Sequence, residues 1–242
     1  GWRIADEAMQ IRGGRGYETA TSLKGRGEEP VPAERMMRDA RINLIIEGTS
    51  EIMRLFIARE AVDRHMKLAF DAVKPGVPLG ARLASGARAA RFYAVWYPGL
   101  WLKAVASLFV MSAGGLPFWM ARHMRYVRHT TPRLALAVFH AMVRFGPGLE
   151  KRQRVLGRLV DIGTDLFAMS AALGRAESLL KKDPADTSPA QLANVFCEEA
   201  RRRIELNFRG LRRNDDRDEY RLAQDVLAGK AAWLEKGVAG NV

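Results

Sequence analysis

The stretch RDARINLIIEGTSEIMRLFIARE, residues 38–60, decides how this chain is read. An apolar run, Leu44-Ile45-Ile46, ends at an acid, Glu47, and Gly48 follows it. Thr49 or Ser50 can cap a helix start. Beyond them Ile52, Leu55, Phe56, Val62, Met66, Ala69, Phe70 and Val73 recur at the helical period. A turn therefore separates two helices, and an ionisable group sits on it. Flanked by Ile45 and Ile46, Glu47 is expected to be partly desolvated, which makes a carboxylate a better proton acceptor. Gly48 leaves room for a substrate, while Thr49, Ser50 and the free amides of the helix start offer polar contacts. The same acid also reads as one that simply bonds the helix start.

Upstream, EAMQIRGGRGYE ends a helical stretch in Gly13-Gly14-Arg15-Gly16. Glycines at this density let backbone amides approach phosphate or ribose oxygens closely. They equally stop a helix. Downstream, Ser188-Pro189-Ala190-Gln191 marks another helix start, with Ser188 as N-cap, Pro189 at the first position and Gln191 completing a capping box. Leu192, Val195, Phe196 and Ala200 would form its buried stripe. No run of alternating residues argues for a strand, so the expected class is all-α.

Taken in order, the two segments resemble one family. EAMQIRGGRGY is similar to the Gln-x-x-Gly-Gly-x-Gly-Tyr signature of acyl-CoA dehydrogenases. Residues 38–60 resemble that family's Arg-Asp-x-x-Ile followed by Glu-Gly-Thr and Ala-Arg. The resemblance implies the end of the family's C-terminal helical bundle over residues 1–74, a linker over 75–80, and a second helical-bundle domain over 81–242. It implies FAD as cofactor and an acyl-CoA as substrate. Glu47 would be the base that takes the α-proton of the thioester. Gly48 and Arg59 would contact substrate, the guanidinium suiting the CoA nucleotide. Thr49, Ser50 and Glu51 would lie against FAD, and Gln10, Ile11, Arg12, Gly13 and Gly14 would touch the FAD of a neighbouring subunit, which implies a homodimer. Two departures stand out. Glu51 replaces an often-found glutamine, and the connector after Tyr17, ETATSLKGRGEEPVPAE, is longer than usual. Helical signal from Trp2 onward, with Gly rather than methionine at position 1, makes the chain read as cut from a longer one, inactive alone. An electron-transferring flavoprotein is the implied acceptor, and a bacterial cytoplasm or mitochondrial matrix the implied compartment.

With 242 residues, 48% of them hydrophobic and 27% charged, the chain has the composition of a folded globular protein. Cys197 stands alone, which excludes an internal disulfide framework, and it reads as a small buried residue. His123 and His129 are not spaced as ligands on one helical face, so no metal is expected.

The formal charge of +12 is concentrated in the middle. Residues 75–160 hold 13 Lys and Arg against a single acid, whereas the flanking thirds are nearly balanced. Nine of the 20 aromatic residues fall within 92–126, bordered by Arg82, Arg88, Arg91, Arg122, Arg125 and Arg128. Rings edged by cations suit an anionic membrane surface, here residues 88–128. They suit a core or a dimer interface equally. A true span is disfavoured because the charge-free run 104–121 is broken by Gly114, Gly115 and Pro117. Without a recognised motif, nucleic acid is not an expected partner. Residues 150–182 resemble the extra C-terminal domain of very-long-chain acyl-CoA dehydrogenases, enzymes that are dimers on membranes. The rival readings are an acyl-CoA oxidase and, from another class, a non-catalytic membrane- or partner-binding module.

Overall fold

The computed structural model describes residues 1–73, 76–109 and 117–234, without side chains for 69–73, 108, 109 and 118. All regular structure among these residues is helical, as the sequence pattern requires. Two compact units are present, Gly1–Ala61 and Val62–Val242.

The first unit contains α1 (Trp2–Ile11), α2 (Gly14–Tyr17), α3 (Ala20–Gly25), α4 (Ala33–Ile42) and the start of α5 (Ser50–Val73). Helix α1 packs on α4, where the Arg41 guanidinium lies 5.3 Å from the centroid of the Trp2 ring. The long connector is not irregular throughout. Thr19 caps α3 by accepting the Ser22 amide at 3.2 Å, Leu23 is fully buried, and Arg26 bridges Glu18 and Glu28. Gly16 is needed for close approach, because a Cβ there would collide with the carbonyl oxygen of Met9. Much of the apolar surface of this unit is open: Ile4, Ile11, Ile45, Ile46, Ile52 and Phe56 are all exposed.

The second unit adds α6 (Leu79–Phe109), α7 (Phe118–Phe145), a 3-10 turn (Gly146–Lys151), α8 (Gln153–Lys182), α9 (Ser188–Gly210) and α10 (Asp216–Leu227). Of the expected linker 75–80, residues 76–78 are non-helical, Leu79 and Gly80 already belong to α6, and residue 75 lies outside the described residues. The short link between α8 and α9 folds them against each other. Their seam is Ile162, Leu166, Met169, Leu173 and Ala176 against Ala190, Ala193, Cys197, Ala200, Ile204 and Phe208, closed by Met120 and Val127 of α7. Every residue on the α9 side up to Ala200 is small, so the backbones can come close.

That seam corrects the expected stripe of α9. Ala200 is buried, but Leu192 and Val195 are 73% and 59% exposed, and the core runs one position over, through alanines and Cys197. The N-cap is Thr187 rather than Ser188, with the Gln191 side-chain amide donating to Thr187 Oγ1 at 3.3 Å. The stripe shifts because small side chains, not large apolar ones, set the spacing of this seam.

The aromatic middle is split between two environments. On one face Tyr93, Trp96 and Tyr97 of α6 pack around Phe139 of α7, with ring centroids 4.8–5.7 Å apart. His65 Nδ1 lies 2.9 Å from the Tyr93 hydroxyl, and burial lowers its pKa. On the other face Val95, Trp101, Leu102 and Val105 are exposed. Arg122, expected at the cationic border, is engaged instead by Glu198 at 2.6 Å and Asn194 at 3.1 Å. Residues 110–116, the middle of the charge-free run, lie outside the described residues. No described helix is long and apolar enough to cross a membrane.

Candidate functional site

Helix α4 ends at Ile42, and the chain closes through short-range backbone bonds, with Ile45 and Ile46 both donating to the Ile42 carbonyl. It then reverses at Glu47 and Gly48, whose φ angles are +56° and +96°. Among the described residues Glu47 is the one non-glycine with a left-handed backbone. Such a conformation costs roughly 1 kcal/mol for an L-residue and gathers at functional positions. Gly48 is confined twice over: by its φ, and because a Cβ would lie 2.9 Å from Met53 Sδ.

Helix α5 starts immediately afterwards. Thr49 is its cap, with Oγ1 accepting the Ile52 amide at 3.3 Å. This settles what bonds the helix start, because Glu47 forms no hydrogen bond or ion pair among the described residues. Its carboxylate stands at the turn, exposed, beside half-open Ile45 and Ile46. The expected desolvation is therefore absent from this chain. A left-handed residue swings its side chain off the end of α4, and no described residue covers it.

The other expected residues divide into two groups. Gly48, Thr49, Ser50 and Glu51 form one continuous turn and helix start with Glu47, and the Glu51 side chain is open, 4.0 Å from Arg54. Arg59 lies more than two turns further along α5, exposed. Gln10, Ile11, Arg12, Gly13 and Gly14 form a separate corner, where α1 ends and α2 begins. There Ile11 is 85% exposed, and Gly13 turns the chain with φ +60°. Arg12 Nε is buried without a hydrogen-bond partner, so this corner holds a donor that the chain itself leaves unsatisfied.

The sequence reading overlooked Met53, whose thioether confines Gly48, and no sequence signal marks it. Cys197 is fully buried and its thiol is pushed up to about 11, first by desolvation. Among the described residues no cluster of His, Cys, Asp and Glu could hold a metal ion.

Comparison with known proteins bears on both units. Residues 1–62 match the family model "Acyl-CoA dehydrogenase, C-terminal domain", and residues 120–230 match "ACAD9/ACADV, C-terminal domain". The probable acyl-CoA dehydrogenase FadE10 of Mycobacterium tuberculosis is 48% identical over 242 residues, covering 97% of this chain and 36% of that protein. The mitochondrial very long-chain specific acyl-CoA dehydrogenase of Homo sapiens is 29% identical over 241 residues, covering 98% and 33%. The acyl-CoA dehydrogenase of Bacillus anthracis, solved in complex with FAD, shares the fold with a TM-score of 0.56 and 24% identity, over 92% of this chain and 33% of that one. The chain thus spans about a third of the length of these relatives.

Proposed function

We propose, for a chain that belongs to the acyl-CoA dehydrogenase family and carries its C-terminal portion, that Glu47 is the base in the α,β-dehydrogenation of a long-chain fatty acyl-CoA. The observation that carries this reading is the strained turn: a left-handed Glu47 with an unengaged carboxylate, followed by a Gly48 whose φ and contact with Met53 disfavour a Cβ. A carboxylate that merely anchored a helix would not need that backbone. Thr49 already does the anchoring.

In the proposed reaction the Glu47 carboxylate removes the proton from Cα of the thioester. The hydrogen on Cβ leaves with its electron pair, and a trans-2-enoyl-CoA results. FAD supplies the acceptor for that hydride. The residues present fit such a group. Arg12 offers a buried, unsatisfied Nε–H, Gly13 and Gly14 have no obstructing side chain, and Thr49, Ser50 and Glu51 stand together at a helix start, whose dipole favours a negative group. Gly48 gives the thioester access, and Arg59 meets the CoA nucleotide through its guanidinium. Water exclusion around Glu47 comes from parts of the enzyme beyond this chain, since Ile45 and Ile46 are here half open.

Finer assignments belong to the same proposal. The domain change falls at residues 75–80. The enzyme works as a homodimer in a bacterial cytoplasm or mitochondrial matrix, passes electrons to an electron-transferring flavoprotein, and rests against anionic membrane through exposed Trp101, Leu102 and Val105, with exposed Arg88 and Arg91 nearer the start of the same helix.

The test joins this chain to the N-terminal two-thirds of the mycobacterial relative and follows bleaching of the flavin by palmitoyl-CoA without oxygen. Glu47→Gln is expected to slow bleaching by about a hundredfold or more. Undiminished bleaching would sink the role. Oxygen consumption without an electron-transferring flavoprotein would instead identify an oxidase.

A further inference from the structure

Where α7 turns through the 3-10 segment into α8, cations gather without acids. Arg144, Phe145, Gly148, Lys151, Arg152 and Tyr220 line a cavity of about 480 Å³. That volume falls within the range of small-molecule sites. Other arginines of the same unit are paired with acids: Arg154 with Asp216 and Glu219, Arg158 with Asp216, Arg133 with Glu205, Arg203 with Asp165. Among the described residues Arg144, Lys151 and Arg152 have no carboxylate partner. Glu150, the one acid of residues 75–160, is next in sequence but forms no ion pair with them and does not line the cavity.

The cations are also held in place. The guanidinium carbons of Arg144 and Arg152 lie 5.1 Å and 5.4 Å from the centroid of the Phe145 ring, which serves as a shared platform. Tyr220 is brought to the rim by α10, whose first turn is tied to α8 through Arg154 and Arg158. Three like charges around one exposed cavity favour an anion between them. Two of them are guanidiniums, whose planar forks match phosphate oxygens.

We propose that this cavity binds a phosphate monoester: a dianion met by Arg144, Lys151 and Arg152, with its organic substituent filling the remaining space against Phe145 and Tyr220. A bare phosphate would leave most of the volume empty. The phosphate could come from a soluble ester or from the headgroup of phosphatidic acid, and both present the same dianion. The site lies on the second unit and involves neither Glu47 nor any residue assigned to flavin or thioester, so it stands or falls apart from the dehydrogenase reading.

The experiment uses the 242-residue chain. Amide chemical shifts are followed during titration with glycerol 3-phosphate, and sedimentation is measured with phosphatidylcholine vesicles with and without phosphatidic acid. Expected are shift changes centred on Gly148 and Tyr220, or phosphatidic-acid-dependent sedimentation. Either should weaken roughly tenfold or more when Arg144, Lys151 and Arg152 are all replaced by Gln. A control with Arg175, Lys182 and Arg202 replaced by Gln removes the same charge from exposed positions elsewhere on the second unit and should keep both kinds of binding intact. Binding of the soluble ester identifies a free metabolite as the source; binding of vesicles alone, lost in the triple variant, identifies the headgroup. Binding of neither probe, shifts centred elsewhere, or an equal loss in the control would overturn the proposal. The shift map of the unsubstituted chain decides the matter even if the triple variant fails to fold.

Discussion

Replacing Asp216 by Asn should loosen the corner that joins α8, α9 and α10. Both Asp216 oxygens accept from Arg158, each at 2.6 Å, and Arg154 adds a contact at 3.3 Å. The Asp216 and Arg158 side chains are each only 17% exposed. Gly210 makes room for the pair, since a Cβ there would sit 2.9 Å from Arg158 Nε. An amide can keep one acceptor but not the charge, so Arg158 would be left largely out of water without its counter-ion. Hydrogen bonds to charged groups contribute about 1.5–3 kcal/mol each, and breaking a fully buried pair costs about 3–5 kcal/mol. For a pair that retains some contact with water, we expect a loss of about 2 kcal/mol at neutral pH. The hydrogen bonds from Arg158 hold the Asp216 pKa below its ordinary value. Its stabilisation is therefore complete above the unfolded carboxylate value of about 4 and disappears as pH falls through the depressed folded value. Urea unfolding followed by circular dichroism, at pH 7 and in steps below pH 4, would measure both. A change below about 0.5 kcal/mol at pH 7, or a difference between the two proteins that does not shrink in acid, would refute the reasoning.

Other consequences are as direct. Gly48→Ala forces a side chain into a left-handed φ and against Met53, and should lower stability by about 1–2 kcal/mol in thermal unfolding. Thr49→Ala removes the cap of α5 and should cost about 1 kcal/mol in the same assay. Cys197, fully buried and with a raised pKa, should resist a thiol reagent at pH 8 and react only at the rate of unfolding. Rapid labelling of the native chain would contradict the seam between α8 and α9.

Helix existence was legible because periodicity and caps repeat the same message over long segments. A cap for α5 at Thr49 or Ser50 could be read from the residues alone, and the structure makes it Thr49. Which face of α9 is buried could not, because alanine carries little hydrophobic signal and its value lies in letting two backbones approach. Glu47, Gly48 and Thr49 were legible as a turn, yet neither the left-handed φ of Glu47 nor the pressure of Met53 on Gly48 has a sequence mark. The exposure of Glu47 was missed for a different reason. Its apolar neighbours in sequence, Ile45 and Ile46, are not packed over it in space. Charge imbalance pointed to the basic middle, but ion pairing decides which cations remain available, and that depends on acids such as Glu198 from a distant helix.

The most direct test of Glu47 as base separates proton removal from hydride transfer. The thioester 3-thiapalmitoyl-CoA has sulfur in place of the β-carbon, so it can lose an α-proton but has no β-hydride to give. In deuterated water, the chain joined to the remaining two-thirds of its mycobacterial relative should exchange that α-proton. Glu47→Gln should slow exchange by about a hundredfold or more while the flavin stays bound. Equal exchange by both proteins would contradict the account.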